Sequence, residues 1–280
     1  MSSTGVAPPD GLRFRRKTRL VDCLKEIWEA RDLSRALAER EIRANYKQAS
    51  LGIAWAIVSP VTLMIVFTLF FQRVSGVSTN GVPYALFSYI ALVPWNFFST
   101  SMSNGGMAVV TQMALVNKIR CPREAFPLSS MIVSGFNSII AIGVLAVLFL
   151  INWTAPKPTT FWVVVPLAVQ LVFTVGCVLL VSGITVYLRD LRHALPILLQ
   201  LGLFATPIAY GMSFIPSNLQ LPYVIINPLA ACIDSYRECV LYGNPPNWSL
   251  LGPAAASSIV IFYAAIKVFR RLEVGFADVA

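Results

Sequence analysis

The chain has 280 residues, of which 56% are hydrophobic and only 12% charged; its mean hydropathy is +0.69 and its formal net charge +9. Soluble domains carry about 25% charged residues and their core helices keep a polar face, so an ordinary water-soluble domain is excluded. Apolar runs that are continuous rather than alternating argue against a β-barrel, and a single His193 without CxxC or HExxH spacing argues against a metal centre.

Residues 1–17 are rich in Ser, Pro, Gly and Arg and read as a disordered tail. The first apolar run begins only after residue 50, so no signal peptide is expected. Leu20, Val21, Leu24, Ile27 and Trp28 fall on one helical face, and Leu33, Ala36 and Leu37 are apolar between Arg35, Glu39, Arg40, Glu41 and Arg43. Residues 18–50 therefore predict amphipathic helices lying in the membrane–water interface, with Trp28, Arg40, Glu41, Arg43 and Tyr46 as interfacial residues.

Six apolar runs follow, at about 52–72, 84–110, 128–151, 161–187, 195–212 and 249–266, with no Asp, Glu, Lys or Arg in their interiors. A crossing needs about 20 apolar residues at about 1.5 Å rise each. The expected fold is an all-α integral membrane protein whose transmembrane domain covers 51–270 with six spans, followed by a tail at 271–280. Pro60 and Pro94 lie inside the first two spans, where each frees a backbone carbonyl that neighbours must satisfy.

Between the last two runs, residues 213–248 contain five prolines, yet Tyr223–Tyr242 is largely apolar with Asp234, Arg237 and Glu238 near its end. This predicts a re-entrant pair of short helices at the outer mouth, a folded outer loop being the alternative. Asp234 and Glu238 are expected to pair with Arg237 or to cap a helix. Cys232 and Cys239 are seven residues apart, about 10 Å if helical, too far for a disulfide.

Of the basic residues, 19 lie on one side of this topology and 3 on the other, namely Arg73, Lys157 and Arg237. The positive-inside rule then places both termini in the cytoplasm, and the net charge reflects topology and anionic lipid rather than nucleic-acid binding. Intramembrane charge of the kind that couples ion transport is missing, and no Gly-Lys dipeptide offers a P-loop. The chain is expected to hold no cofactor and to be no enzyme; if ATP is used, another chain binds it.

Two short basic connections remain, 115–128 and 187–196, each with apolar anchors, exposed charge and a proline at a helix boundary. In isolation each reads equally as a plain positive-inside loop. The first, Lys118-Ile-Arg-Cys-Pro-Arg-Glu-Ala-Phe-Pro-Leu128, resembles the first coupling helix of ABC-2 type permeases that export polysaccharides, where Lys-Val-x-x-Pro-Arg-Glu-x-x-Pro-Leu recurs. Tyr46, Ser50-Leu51-Gly52, Trp55 and Pro60 are similar to that family's junction into the first span, and Pro83-Tyr84 and Pro94-Trp95-Asn96-Phe97-Phe98-Ser99 to its second span. Tyr187-Leu-Arg-Asp-Leu191 resembles its second coupling segment, and Asn227-Pro-Leu, Asp234-Ser-Tyr-Arg-Glu238 and Gly243 its outer gate helices. The likeness covers about residues 30–275. Gln48-Ala49, Asn45 and Arg120-Cys121 depart from the usual basic-Gly pair, Arg and aromatic residues.

The resemblance implies a half-channel in the cytoplasmic membrane. Two copies would pair, each docked on a nucleotide-binding subunit that carries ATP and Mg. Coupling contacts would come from Lys118, Ile119, Arg120, Pro122, Arg123, Glu124, Arg189, Asp190 and Arg192. The implied cargo is a sugar polymer on a polyprenyl diphosphate lipid. Aromatic rings stack on sugar CH faces without charge, which makes Tyr84, Trp95, Phe97, Phe98, Tyr210 and Tyr223 channel or gate candidates alongside Asp234 and Arg237. Packing or a lipid-facing belt is the competing role for each aromatic. Export of a drug or small lipid, or ATP-independent lipid scrambling, are the alternative functions.

Overall fold

The computed structural model describes residues 28–48, 54–72, 79, 81–116 and 122–276, and among these the ordered elements are helices and turns without strands. The expected tail at 1–17, the segment Leu20–Ile27, Cys23 and Cys121, and Lys118, Ile119 and Arg120 lie outside them.

Helix α1 (Arg31–Gln48) buries Ser34, Leu37 and Ala38 and exposes Arg35, Glu39 and Arg40, so its apolar stripe is used against the base of the bundle. Helix α2 (Ala54–Phe67) contains Pro60 and runs into a π turn, Thr68–Gln72. Helix α3 (Tyr84–Thr111) is 28 residues long, roughly 42 Å. Helix α4 (Ala125–Ile151) exposes Ile132, Phe136, Ile139, Ile142 and Leu150 along one helical stripe, a surface suited to lipid rather than to water. A 3₁₀ turn, Pro158–Val163, leads into α5 (Val164–Tyr187). Then come α6 (Leu191–Ala205), α7 (Ser217–Ile226), α8 (Pro228–Arg237), a π turn Glu238–Tyr242, and α9 (Trp248–Glu273).

Four stretches are long and apolar enough to cross a membrane: Ala54–Phe71, Ala125–Ile151, Pro158–Thr185 and Trp248–Glu273. They match the first, third, fourth and sixth expected runs. The second run is the single helix α3, but Asn96, Ser99, Thr100, Ser101, Ser103 and Asn104 make it less apolar. It tolerates them because α2, α4, α5, α6 and α8 pack around it, leaving little of it for lipid to cover. The fifth run differs in its end: the helical part is α6, a 15-residue apolar helix that stops at Ala205, and the residues after it leave the helix. Pro207 disfavours helical backbone at the residue before it, and Thr206 is extended at φ −91° and ψ 142°.

The bundle is built around α3 and α5, with α9 along α5 and α8 wedged among α3, α5 and α9. Glycine permits the close approaches. A Cβ on Gly176 would sit 2.9 Å from the Phe262 Cα, and one on Gly105 would sit 2.6 Å from a Val178 methyl. Two backbones in such contact cannot yield as a side chain can. Gly176→Val is therefore expected to lower the thermal midpoint of the detergent-purified protein by about 2–10 °C, whereas Gly143→Val, at a position open within 4 Å, leaves it unchanged. Equal midpoints for the two variants, read by differential scanning fluorimetry, contradict this packing.

Candidate functional site

Where α6 ends, the chain runs as irregular backbone from Thr206 to Gly211. Such backbone is tolerated inside a membrane protein only where protein groups satisfy its carbonyls. One side chain does most of this. Arg237, at the end of α8, is 2% exposed, and its Nε donates to the Phe87 carbonyl at 3.2 Å. Its Nη1 donates to the carbonyls of Pro207 at 2.7 Å and Tyr210 at 3.0 Å, and its Nη2 to that of Ile208 at 2.6 Å. The guanidinium carbon also lies 3.7 Å from the centre of the Phe87 ring, a cation–π contact. The Tyr84 hydroxyl donates to the Ala209 carbonyl at 2.7 Å, and the Asn227 amide to the Thr206 hydroxyl at 2.9 Å. Tyr223 and Tyr210 both donate to the Ala205 carbonyl.

The guanidinium fork bonds directly to carbonyl oxygens, and the expected partner Asp234 acts on it as a nearby charge rather than through a direct hydrogen bond. A guanidinium keeps its proton in proteins, so Arg237 brings a positive charge and no acceptor to this cluster. Glu238 Oε2 instead accepts from Asn244 at 2.8 Å, where Gly243 turns the chain at φ 81°.

A second bridge ties α8 to α5 and α3. The Tyr236 hydroxyl donates to Gln170 Oε1 at 2.7 Å, and Gln170 Nε2 donates to the Pro94 carbonyl at 2.9 Å. Gln170 is the only amide side chain in the run 161–187, and that isolation is the signal by which the sequence could have disclosed it. The candidate aromatics divide into two groups. Tyr84, Trp95, Phe97 and Phe98 are buried within the single chain: Trp95 fills the space beside Gly202, and Phe98 stacks on Phe173 at 5.5 Å. Tyr210 and Tyr223 are part-exposed around the break.

At the opposite end of the bundle the basic segments meet the end of α9. Glu124, 3% exposed, pairs with Arg270 Nε at 2.7 Å, and Arg270 Nη1 lies 3.7 Å from Glu273. Arg123 donates to the Glu273 carbonyl, approaches its carboxylate at 4.0 Å, and lies over Phe276 at 5.4 Å. The Tyr187 hydroxyl donates to the Leu272 carbonyl at 2.7 Å. The segment Pro122–Glu124 is thereby fastened to α9 within the chain. Arg189, Asp190 and Arg192 are exposed at the entry to α6. Trp28 is exposed and lies 4.7 Å from the Arg31 guanidinium; Arg40 and Arg43 are exposed, with Arg43 3.5 Å from Glu39. Burial raises the Glu41 carboxyl, with Arg40 pulling the other way. Tyr46 lies in α1 near its end. The partners Arg270 and Glu273 went unnoticed because only the loop, not the far helix, carries a recognisable pattern.

These features define a multi-pass helical membrane protein. Residues 33–241 match the family described as ABC-2 type transporter. The chain is similar to the O-antigen export system permease protein RfbA of Myxococcus xanthus, 30% identical over 262 residues, or 92% of this chain and 99% of the relative. It is also similar to a Klebsiella pneumoniae protein of the same description, 24% identical over 249 residues, or 89% of this chain and 95% of the relative. The polysialic acid transport protein KpsM of Escherichia coli is 25% identical over 245 residues, or 85% of this chain and 92% of the relative. The chain belongs to the ABC-2 type transporter family.

Breaking a buried ion pair by removing one partner costs about 3–5 kcal/mol, because the other charge is left in place. Glu124→Arg is therefore expected to destabilise the protein strongly, and the swap Glu124→Arg with Arg270→Glu to recover much of the loss in denaturant titrations of the purified protein. Additive effects of the two substitutions contradict the pairing.

Proposed function

We propose that the chain is the membrane subunit of an ATP-driven exporter of a polyprenyl-diphosphate-linked polysaccharide, serving cell-wall or surface glycan assembly. The observation that carries this reading is its near end-to-end likeness to a permease described as an O-antigen export protein, with 99% of that relative covered. In this reading two copies pair and each docks on a nucleotide-binding subunit that supplies ATP and Mg. Both termini lie in the cytoplasm, the polyprenyl lipid travels in the membrane, and Tyr210 and Tyr223 stand at the outer gate.

The coupling residues are Lys118, Ile119, Arg120, Pro122, Arg123 and Glu124 on one loop and Arg189, Asp190 and Arg192 on the other. The exposure of the second set suits direct contact with a partner. The ion pairs of Arg123 and Glu124 suit a different duty: a displacement at the first loop is handed to α9 through Arg270 and Glu273. Helix α9 packs along α5, α5 packs on α8, and α8 ends in Arg237. A push at the basic end thus has a continuous packed route to the break in the backbone.

Depletion of this chain in its host is expected to accumulate polyprenyl-linked glycan on the cytoplasmic side, read by mass spectrometry of lipid extracts. The purified chain alone is expected to hydrolyse no ATP, and to form a stable complex with a nucleotide-binding subunit. An unchanged glycan-lipid pool favours export of a drug or small lipid, and the absence of any such complex favours an ATP-independent scramblase.

A further inference from the structure

Helix α9 buries one face and leaves the other open. Ala254, Ser258, Ala265 and Phe269 are buried against the bundle. On the opposite side Trp248, Ile259, Val260, Tyr263, Lys267 and Arg271 are exposed. The open face is apolar for most of its length and turns basic only in the last two turns. From Trp248 to Lys267 the helix rises roughly 28 Å, close to the hydrocarbon thickness of about 30 Å. With the Trp248 ring at one headgroup level, where amphipathic rings settle, Lys267 falls at the other edge of the hydrocarbon. Arg271 lies roughly 6 Å beyond it, among the headgroups of the basic end.

Lys267 and Arg271 stand one turn apart, so their side chains share this stripe. The Lys267 ammonium lies 4.0 Å from the centre of the Tyr263 ring, so the side chain leans back along the helix toward the membrane interior. The ring covers one side of the cation and leaves donors open on the other. Neither Lys267 nor Arg271 has an ion pair among the described residues. The carboxylates near this end are committed elsewhere: Glu273 to Arg123 and Arg270, and Glu124 to Arg270. The end of α9 thus divides its charge between two faces. Arg270 and Glu273 hold the loop at Pro122–Glu124, while Lys267 and Arg271 point away from it toward lipid. A cation at the hydrocarbon edge is costly without an anionic partner. The group that suits both cations carries net negative charge, accepts several hydrogen bonds and has acyl chains to cover Ile259 and Val260. An anionic phospholipid meets all three demands. A zwitterionic lipid brings the same phosphate but sets a cation of its own beside Arg271. A free phosphate leaves the apolar part of the stripe bare.

We propose that Tyr263, Lys267 and Arg271 form a binding site for one anionic phospholipid, its phosphate between the two cations and its chains along the exposed stripe of α9. The site is independent of what the chain exports. It puts the lipid and the ion pairs of the first basic loop on two faces of the same helical turns, so the lipid steadies the helix end to which Pro122–Glu124 is fastened.

The test is native mass spectrometry of the purified full chain, released from micelles doped with equal amounts of dioleoyl-phosphatidylglycerol and dioleoyl-phosphatidylcholine. Phosphatidylglycerol is expected to be retained in preference. Lys267→Gln and Arg271→Gln should each cut that preference about fivefold, and the pair together about 25-fold. Lys267→Arg and Arg271→Lys keep the charge and should keep the preference, which separates lost charge from lost folding. Arg35→Gln, on α1 at the same end of the bundle, and Lys157→Gln, at the other end, should leave it unchanged. A preference that survives the paired Gln substitutions overturns the site. An equal loss with Arg35→Gln reduces the effect to diffuse surface charge and overturns it as well. Displacement of the retained lipid by excess glycerol phosphate overturns the lipid as the source of the anion.

Discussion

The structure turns on one guanidinium that replaces the hydrogen bonds a helix would have made. Pro207 stops α6, and the six residues after Ala205 would otherwise leave carbonyls bare in a bilayer-depth bundle. A bare carbonyl in that setting costs several kcal/mol, more than most single packing defects. Arg237 offers its donors as a rigid fork, which a flexible ammonium does not. Its four bonds and the Phe87 ring surround the buried charge with carbonyl dipoles and a ring face, and Asp234 adds a nearby opposite charge. Tyr84, Tyr223 and Asn227 complete the set. The arrangement needs α8 to be buried and non-spanning, because only then does the end of α8 meet the end of α6.

The two ends of the molecule use charge differently. At the basic end, carboxylates pair with arginines and join a loop to the last helix. At the break, an arginine serves backbone. The first kind of contact can slide between partners of the same kind, whereas the second is fixed by carbonyl positions. Glycine-lined contacts between α5 and α9, and between α3 and α5, form the stiff connection between the two ends.

Much of the fold was legible because lipid imposes a simple rule: a span must be long and apolar, and 54–71, 125–151, 158–185 and 248–273 obey it. The pair of short helices was legible from its prolines and its stranded charges. The end of the helix in the fifth run was not legible because residues 195–212 are mostly apolar, with Gln200 and Thr206 the polar exceptions, and composition does not register that Thr206-Pro207 ends a helix. Trp95, Phe97 and Phe98 were ambiguous in another way. Aromatic residues beside a proline suit a channel wall and a packed core equally, and only tertiary placement decides, here with Trp95 against Gly202 and Phe98 on Phe173. Arg237 was visible as an oddity, but its partners are backbone atoms, which carry no sequence signature. Lys267 and Arg271 were legible as basic residues of one side, but their separation from Arg270 onto a lipid-facing stripe beside Tyr263 emerges only from the packing of α9.

The central claim is that Arg237 holds the irregular backbone after α6 in place. Amide hydrogen exchange of residues 204–211, measured in nanodiscs for the unaltered chain, Arg237→Lys and Arg237→Met, tests it most directly. The account expects both substitutions to speed exchange in this stretch by at least about tenfold, since each removes fork-shaped donors from several carbonyls, with little change in α4. Exchange in this stretch that is the same in all three proteins contradicts it.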